Sequence, residues 1–289
     1  MMGPHHAASG AAAWIVIASD YTVPVSAVTG PLRDATGWSW LPDAVPLGAQ
    51  LIDVGAGTHA SVLSGAVMMA GAALLPDADH RGATLARSLP PLSTLFAAVV
   101  GRVSGGHRQG THSVLGILAA ALLGYVLGLL SLEIELATGQ GQSTTLHLGA
   151  GALTLLLAAL AFKALQFLPD GARRAPWIVA APFAVFSLLV FPPGAHWLAL
   201  LVGLGCLVHV LGDFLTTEGV NWLWPARAKP PRTLRAVPFS RSVWRENGFT
   251  SLPVLGGVSS LRAHLAGGLF AAVAMFGLLT ALAGLLTGL

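Results

Sequence analysis

The sequence predicts an all-α integral membrane protein, a polytopic helical bundle of about seven spans, and three observations carry that prediction. Of its 289 residues 54% are hydrophobic and only 9% are charged, where a soluble domain carries about 25% charge. Several apolar stretches reach the ~18–20 residues that cross a bilayer as helix. The basic residues, finally, gather on alternate connections between those stretches.

The elements follow in chain order. The stretch 7–25 is a first, weaker span, and its leader "MMGPHHAASGAAAW" lacks the basic n-region of a signal peptide, so it reads as mature chain. Residues 26–57 are punctuated by Pro and Gly and read as an outer loop. A second weaker span is expected at 58–75. Residues 83–103, "ATLARSLPPLSTLFAAVVGRV", are too short and interrupted to cross and are expected to hold an interfacial helix. The clear spans are 113–132, 146–168, 196–215 and 263–287, with a weaker one at 177–191. Between the last two clear spans, 216–262 holds Pro225, Pro230, Pro231 and Pro238 amid seven basic residues and reads as a loop lying on anionic headgroups. The whole of 1–289 is one helical membrane domain, with a basic loop at 226–262 and a last helix at 263–289. Gly-rich patches such as "LVGLGC" suit close helix packing. The single cysteine, Cys206, excludes an internal disulfide and a Cys-based metal site.

The positions of the basic residues orient the bundle. With seven spans and a cytoplasmic N-terminus, fourteen of the fifteen Lys and Arg fall inside, Arg33 being the exception. That distribution, rather than a nucleic-acid partner, explains a pI of 9.6. Four polar clusters then land on the same cytoplasmic side: "GPHH" with His5 and His6, "LLPDADH" with Asp77, Asp79 and His80, "GGHRQGTHS" with His107, Arg108, His112 and Ser113, and "CLVHVLGDFLTTEG" with His209 and Asp213. Only Arg108 is shared between these clusters and the residues that set the topology.

Each cluster has its own chemistry. His209 and Asp213 stand at i and i+4, so imidazole and carboxylate share one helical face, as a divalent-ion site or as a hydrogen bond that packs two helices. Asp77 and Asp79 flank one residue after Pro76, so either one carboxylate ligates while the other orients a histidine, or the pair marks a solvated turn at a helix end. His107 and His112, five apart, need the Gly105-Gly106 and Gly110 bends to turn both rings inward. Arg108 offers a fork for phosphate or carboxylate. Glu218, five residues past Asp213, reads as a base or, in preference, as a solvated loop carboxylate, and His59, His147, His196 and His264 as isolated packing or interfacial residues.

In combination and order, "HAASG" (6–10), "LPDADH" (75–80), "HRQGTHS" (107–113) and "HVLGDFLTTEG" (209–219) resemble the YdjM-type family, whose members are described as inner-membrane, metal-dependent hydrolases. The resemblance runs from residue 1 to about 225 and marks that stretch as the hydrolase core. The family is similar in turn to zinc-dependent phospholipase C and P1-type nucleases, helical enzymes that cleave phosphoesters with clustered zinc. Two departures stand out: His5 precedes His6, so either is the ligand, and Gln109-Gly110 replaces an expected Arg-Gly step.

The resemblance implies a phosphoester hydrolase of the bacterial inner membrane, acting on a lipid-like or phosphorylated substrate. Its metal site lies at the cytoplasmic face, where His6, Asp77, His80, His107, His112, His209 and Asp213 hold one to three divalent ions, zinc first. Arg108 neutralises charge on the phosphoryl oxygens, Asp79 orients a ligand or transfers a proton, and Ser113 makes a hydrogen bond or caps a helix. The alternative is a transporter or metal-handling protein that uses the same residues as a transit site, which predicts polar residues continuing across the spans.

Overall fold

Each of the seven apolar stretches forms a helix in the computed structural model, which describes residues 2–52, 59–135, 143–166, 174–190, 194–235, 237 and 240–287. In chain order the helices are α1 (Gly3–Ala18), α2 (Ser26–Thr36), α3 (His59–Ala72), α4 (Leu92–Val103), α5 (Val114–Leu129), α6 (Leu148–Ala164), α7 (Ala175–Val190), α8 (Ala195–Phe214), the one-turn α9 (Arg232–Arg235) and α10 (Ser240–Val243), and α11 (Leu261–Thr287). Among the described residues three segments, His59–Asp79, Ala195–Phe214 and Leu261–Thr287, are long and apolar enough to cross a membrane. The helices α1, α5, α6 and α7 have 16 or 17 residues. At about 1.5 Å per residue they rise some 24–26 Å, short of the ~30 Å hydrocarbon thickness.

The order of packing follows from composition. α3 is apolar or small on every face, as a helix must be when neighbours surround it. It stands at the centre, packed by α1, α6, α8 and α11, with Val62, Met68 and Met69 fully enclosed. α5 packs along α8, and α7 along α6. Small residues set the spacing. A Cβ on Gly205 of α8 would lie 2.6 Å from the Ala72 Cβ on α3, so only glycine permits this approach one turn before His209. Outward, α5 and α11 present Leu118, Leu122, Leu265 and Leu269 as exposed apolar surface, the face that a bilayer covers.

Three regions differ from their sequence-based reading. The described part of 26–57 is not a plain loop. It holds α2, and Ala44–Pro46 pairs antiparallel with Thr22–Pro24. The reason lies at the end of α1, whose carbonyls at Val16 and Ile17 have no partner within the helix and accept from the backbone N–H of Ala49 and Ile52. The described part of 216–262 is also folded onto the bundle: Leu252 N–H donates to Phe214 O, Leu255 N–H to Leu215 O, and Val220 bridges Thr250. The third change is at the N-terminus, where Pro4 in the first turn starts α1 ahead of the expected span and draws both His5 and His6 into the helix. As expected for 83–103, α4 is a short apolar helix, with Leu92, Leu95, Phe96 and Val103 exposed.

Candidate metal centre

Four helix ends meet at one end of the bundle, and each brings one of the polar clusters. α1 supplies His6 close to its N-terminus, and α8 supplies His209 and Asp213 in its last two turns. After α3 the chain tightens into a 3-10 turn, Pro76–Asp79, that carries both aspartates. A second 3-10 turn, Gly110–His112, leads into α5, and Ser113 caps that helix by accepting from Gly116 N–H at 3.1 Å. The loop between α4 and α5 reaches this position by running left-handed. Gly105 and Gly106 have φ of 78° and 105°, which glycine tolerates freely, and Arg108 has φ of 61°, a strained value for a side-chain-bearing residue.

The residues assemble into three sets, each with ligand atoms within 4.8 Å of one another: His6, His209 and Asp213; Asp77, His112 and His209; Asp79, His107 and His112. His209 belongs to the first two sets and His112 to the last two, so the three form a continuous row. His6 Nε2 lies 3.2 Å from Asp213 Oδ1, and its ring stacks on His209 at 3.6 Å. His112 Nε2 is 3.1 Å from His209 Nε2. Asp77 Oδ1 lies 3.5 Å from His209 Nε2 and 3.7 Å from His112 Nε2. His112 and His209 are fully buried, and His6 and Asp213 are 1% exposed.

These residues fit a divalent cation. A carbonyl only accepts, so the 2.6 Å contact from His209 Nδ1 to Ala73 O places the proton on Nδ1 and leaves a lone pair on Nε2. That lone pair converges with carboxylate oxygens of Asp77 and Asp213, with His209 and Asp213 buried and Asp77 at the edge. Converging buried acceptors are costly unless a proton or cation lies among them. His6 Nδ1 is moreover a buried nitrogen with no hydrogen-bond partner among the described residues. Imidazole nitrogen with carboxylate oxygen is the donor mixture that zinc accepts. His112 shows the same electrostatics: burial opposes its charge, yet hydrogen bonds to Asp77 and Asp79 prevail and push its pKa up to about 9.

Asp79 is the hub of the supporting bonds. Its Oδ1 is 2.8 Å from His107 Nδ1, and its Oδ2 accepts from Thr111 Oγ1 at 2.6 Å and from Arg108 N–H at 3.2 Å. Asp79 thus stands close enough to share an ion with His107 and His112, and is bonded so as to orient both. Arg108 is 5% exposed and reaches three partners: Nη1 contacts Thr216 Oγ1 at 3.0 Å and Glu218 Oε2 at 3.2 Å, and Nη2 contacts Asp213 Oδ1 at 3.1 Å. Its Nε is buried without a partner.

A polar cavity of about 340 Å³ opens onto this row, lined by Asp77, His80, His107, Arg108, Asp213 and Glu218 among others. Of the expected ligands, His80 stands apart. It is exposed, its Nδ1 accepts from Gly82 N–H, and it joins none of the three sets among the described residues, although its ring lies 5.0 Å from that of His107. Its position just past the 3-10 turn faces it to the cavity wall rather than to the row. Ser113 is committed to its cap and donates to Gly110 O at 2.7 Å. His5 turns towards His264 on α11, 5.3 Å ring to ring, and it is His6 that faces Asp213. Thr111, Thr216 and Glu218 enter as partners of Asp79 and Arg108. The "TTEG" that follows His-x-x-x-Asp was the only trace of the last two in the sequence.

Fold and centre together define a helical membrane protein with a buried row of His and Asp side chains able to hold metal ions. The chain belongs to the YdjM inner membrane protein family, whose family model matches residues 1–287. The match therefore extends past residue 225, where the resemblance of the motifs ended, through the basic region and α11. No curated protein and no solved structure matches the chain.

Proposed function

We propose that this chain is a metal-dependent hydrolase that cleaves a phosphoester at the cytoplasmic surface of the inner membrane. The observation that carries the reading is the row of three His/Asp sets sharing His209 and His112, open on one side to a polar cavity. A structural ion needs one closed set of four ligands, whereas linked sets with an accessible wall suit chemistry. His6, Asp77, His107, His112, His209 and Asp213 would hold one to three ions, zinc first, and Asp79 would orient His107 and His112 or complete the third set.

Such ions, when bound, supply Lewis acidity and bring the ionisation of water to near pH 7. The chain's own residues do the rest. Arg108 keeps its Nε–H and one Nη2 hydrogen for a phosphoryl oxygen, in a site dry enough to make that contact strong. Glu218, 58% exposed at the cavity mouth, holds Arg108 in place and is positioned to accept a proton from the attacking water or pass it to solvent. His80, on the cavity wall beside His107, is the remaining group able to exchange a proton with the leaving oxygen. The basic residues on the same side support a cytoplasmic orientation.

The test is to measure metal in the detergent-purified protein together with phosphate release from phosphomonoesters and phosphodiesters, for the native chain and for His209→Ala. Stoichiometric metal with turnover, both lost in a monodisperse variant, supports the reading. Bound metal without turnover on any phosphoester leaves a metal-handling protein.

A further inference from the structure

A second cavity, of about 470 Å³, is lined in part by Pro76, Gly110 and Thr111 of the two 3-10 turns. Its walls are Val99 and Val103 of α4, Leu115 and Ala119 of α5, Cys206 of α8, and the indole of Trp224. Its volume is that of a small-molecule site. Its lining is apolar except for Ser104 and Thr111. Nothing in the centre described above uses it.

We infer that this groove holds one acyl chain of a phosphoester lipid, entered sideways from the bilayer between α4 and α5, with the headgroup delivered to the metal centre. The inference rests on the phosphoesterase reading and names the substrate class for it. Three observations carry it. First, the groove walls continue into lipid-facing surface: Val99 and Val103 are 54% and 71% exposed, and Leu115 and Leu118 are 51% and 61% exposed. A groove of this kind within a bilayer is filled by hydrocarbon, because water has nothing to bond to there. Second, its floor is shared with the centre. Pro76 and Thr111 line it, Pro76 directly precedes Asp77, and Thr111 Oγ1 donates to Asp79 Oδ2. A chain lying in the groove thus ends within one residue of the ligand row. Third, charge flanks the groove where a lipid's phosphate would stand. Across Val99 and Val103 a neighbouring cavity is lined by Asp79, Arg81 and Arg102. Both arginines are exposed and share that cavity's lining with Asp79 of the centre. Exposed arginines beside an apolar groove match a lipid phosphate above its own chain.

The experiment uses the full chain reconstituted in phosphatidylcholine vesicles containing a phosphatidylglycerol with a photoreactive diazirine on its acyl chain. After illumination the adducts are mapped by peptide mass spectrometry. Adducts are expected to concentrate on residues 99–120. Ala119→Trp, which fills the groove from an exposed position, should lower them about tenfold, the loss of a few methylene contacts. Leu118→Trp, on the same helix outside the groove, should leave them unchanged. Val103→Trp repeats the block from α4 if Ala119→Trp is not monodisperse. Adducts spread evenly over α5 and α11, or undiminished in both blocking variants, overturn the inference. Labelling needs neither metal nor turnover, so its failure is separate from failure of the hydrolase reading. Where turnover exists, the blocking variants should raise KM for long-chain lipid and spare a water-soluble phosphoester.

Discussion

His209 Nδ1 and the Ala73 carbonyl oxygen stand 2.6 Å apart, a bond between α8 and the end of α3 that fixes which nitrogen of His209 faces the ligand row. Across the ring, Nε2 lies 3.1 Å from His112 Nε2, so the two shared histidines of the row meet directly.

Sharing predicts unequal losses. His209→Ala and His112→Ala each dismantle two sets, whereas His6→Ala and His107→Ala each dismantle one. Metal content of purified variants should fall further in the first pair. Equal losses in all four would show that the sets are not independent ion sites.

Thr111 acts through Asp79. Thr111→Val keeps the shape of the side chain but removes the 2.6 Å bond to Asp79 Oδ2. Metal affinity should drop about tenfold, as for other groups that orient a ligand, with little change in fold. A competitive titration with a zinc-chelating dye reads this directly.

Arg108→Lys keeps a positive charge and loses the fork that joins Thr216, Glu218 and Asp213. Phosphoester turnover should fall by about 10² or more while metal content stays near native. Metal loss equal to that of His209→Ala would mean that Arg108 serves the architecture of the row alone.

Protons should compete with the metal at His112. Its pKa rises from 6.5 to about 9 in the metal-free fold, so the protonated ring stabilises that fold fully below pH 6.5 and ceases to do so as pH climbs through about 9. The metal-loaded protein lacks this contribution, since a ligating imidazole carries no proton on its donor nitrogen. The gap in Tm between metal-loaded and chelator-treated protein should therefore widen from pH 6 to pH 9. Differential scanning fluorimetry across that window measures it, and a gap that narrows would contradict the placement of His112.

Ser113→Ala separates a cap from a nucleophile. Loss of the bond from Gly116 N–H should cost about 1 kcal/mol of stability, with turnover nearly intact. Turnover abolished at unchanged stability would give Ser113 a chemical part after all.

The sequence by itself determined the apolar helices and the four polar clusters, because both are local patterns: an unbroken apolar stretch at helix length, and imidazole or carboxylate at fixed spacing. His209 and Asp213 were legible as one face for this reason, and so was a cap at Thr111 or Ser113, of which the structure uses Ser113. Helix rotation is not local. His5 and His6 point about 100° apart on α1, and only the packing of α1 against α8 and α11 turned His6 to Asp213 and His5 to His264. The same holds for His80, left on the cavity wall by the turn at Pro76–Asp79, and for Arg108, whose partners lie over a hundred residues away in sequence. The folding of the described part of 216–262 was hidden because its bonds join residues far apart in sequence, such as Val220 with Thr250, Leu252 with Phe214 and Asn221 with the Arg108 carbonyl. The row of shared ligands and the apolar groove beside it exist only once these distant segments are packed together. Packing brings side chains together by shape and burial, and neither is written in the spacing of residues along the chain.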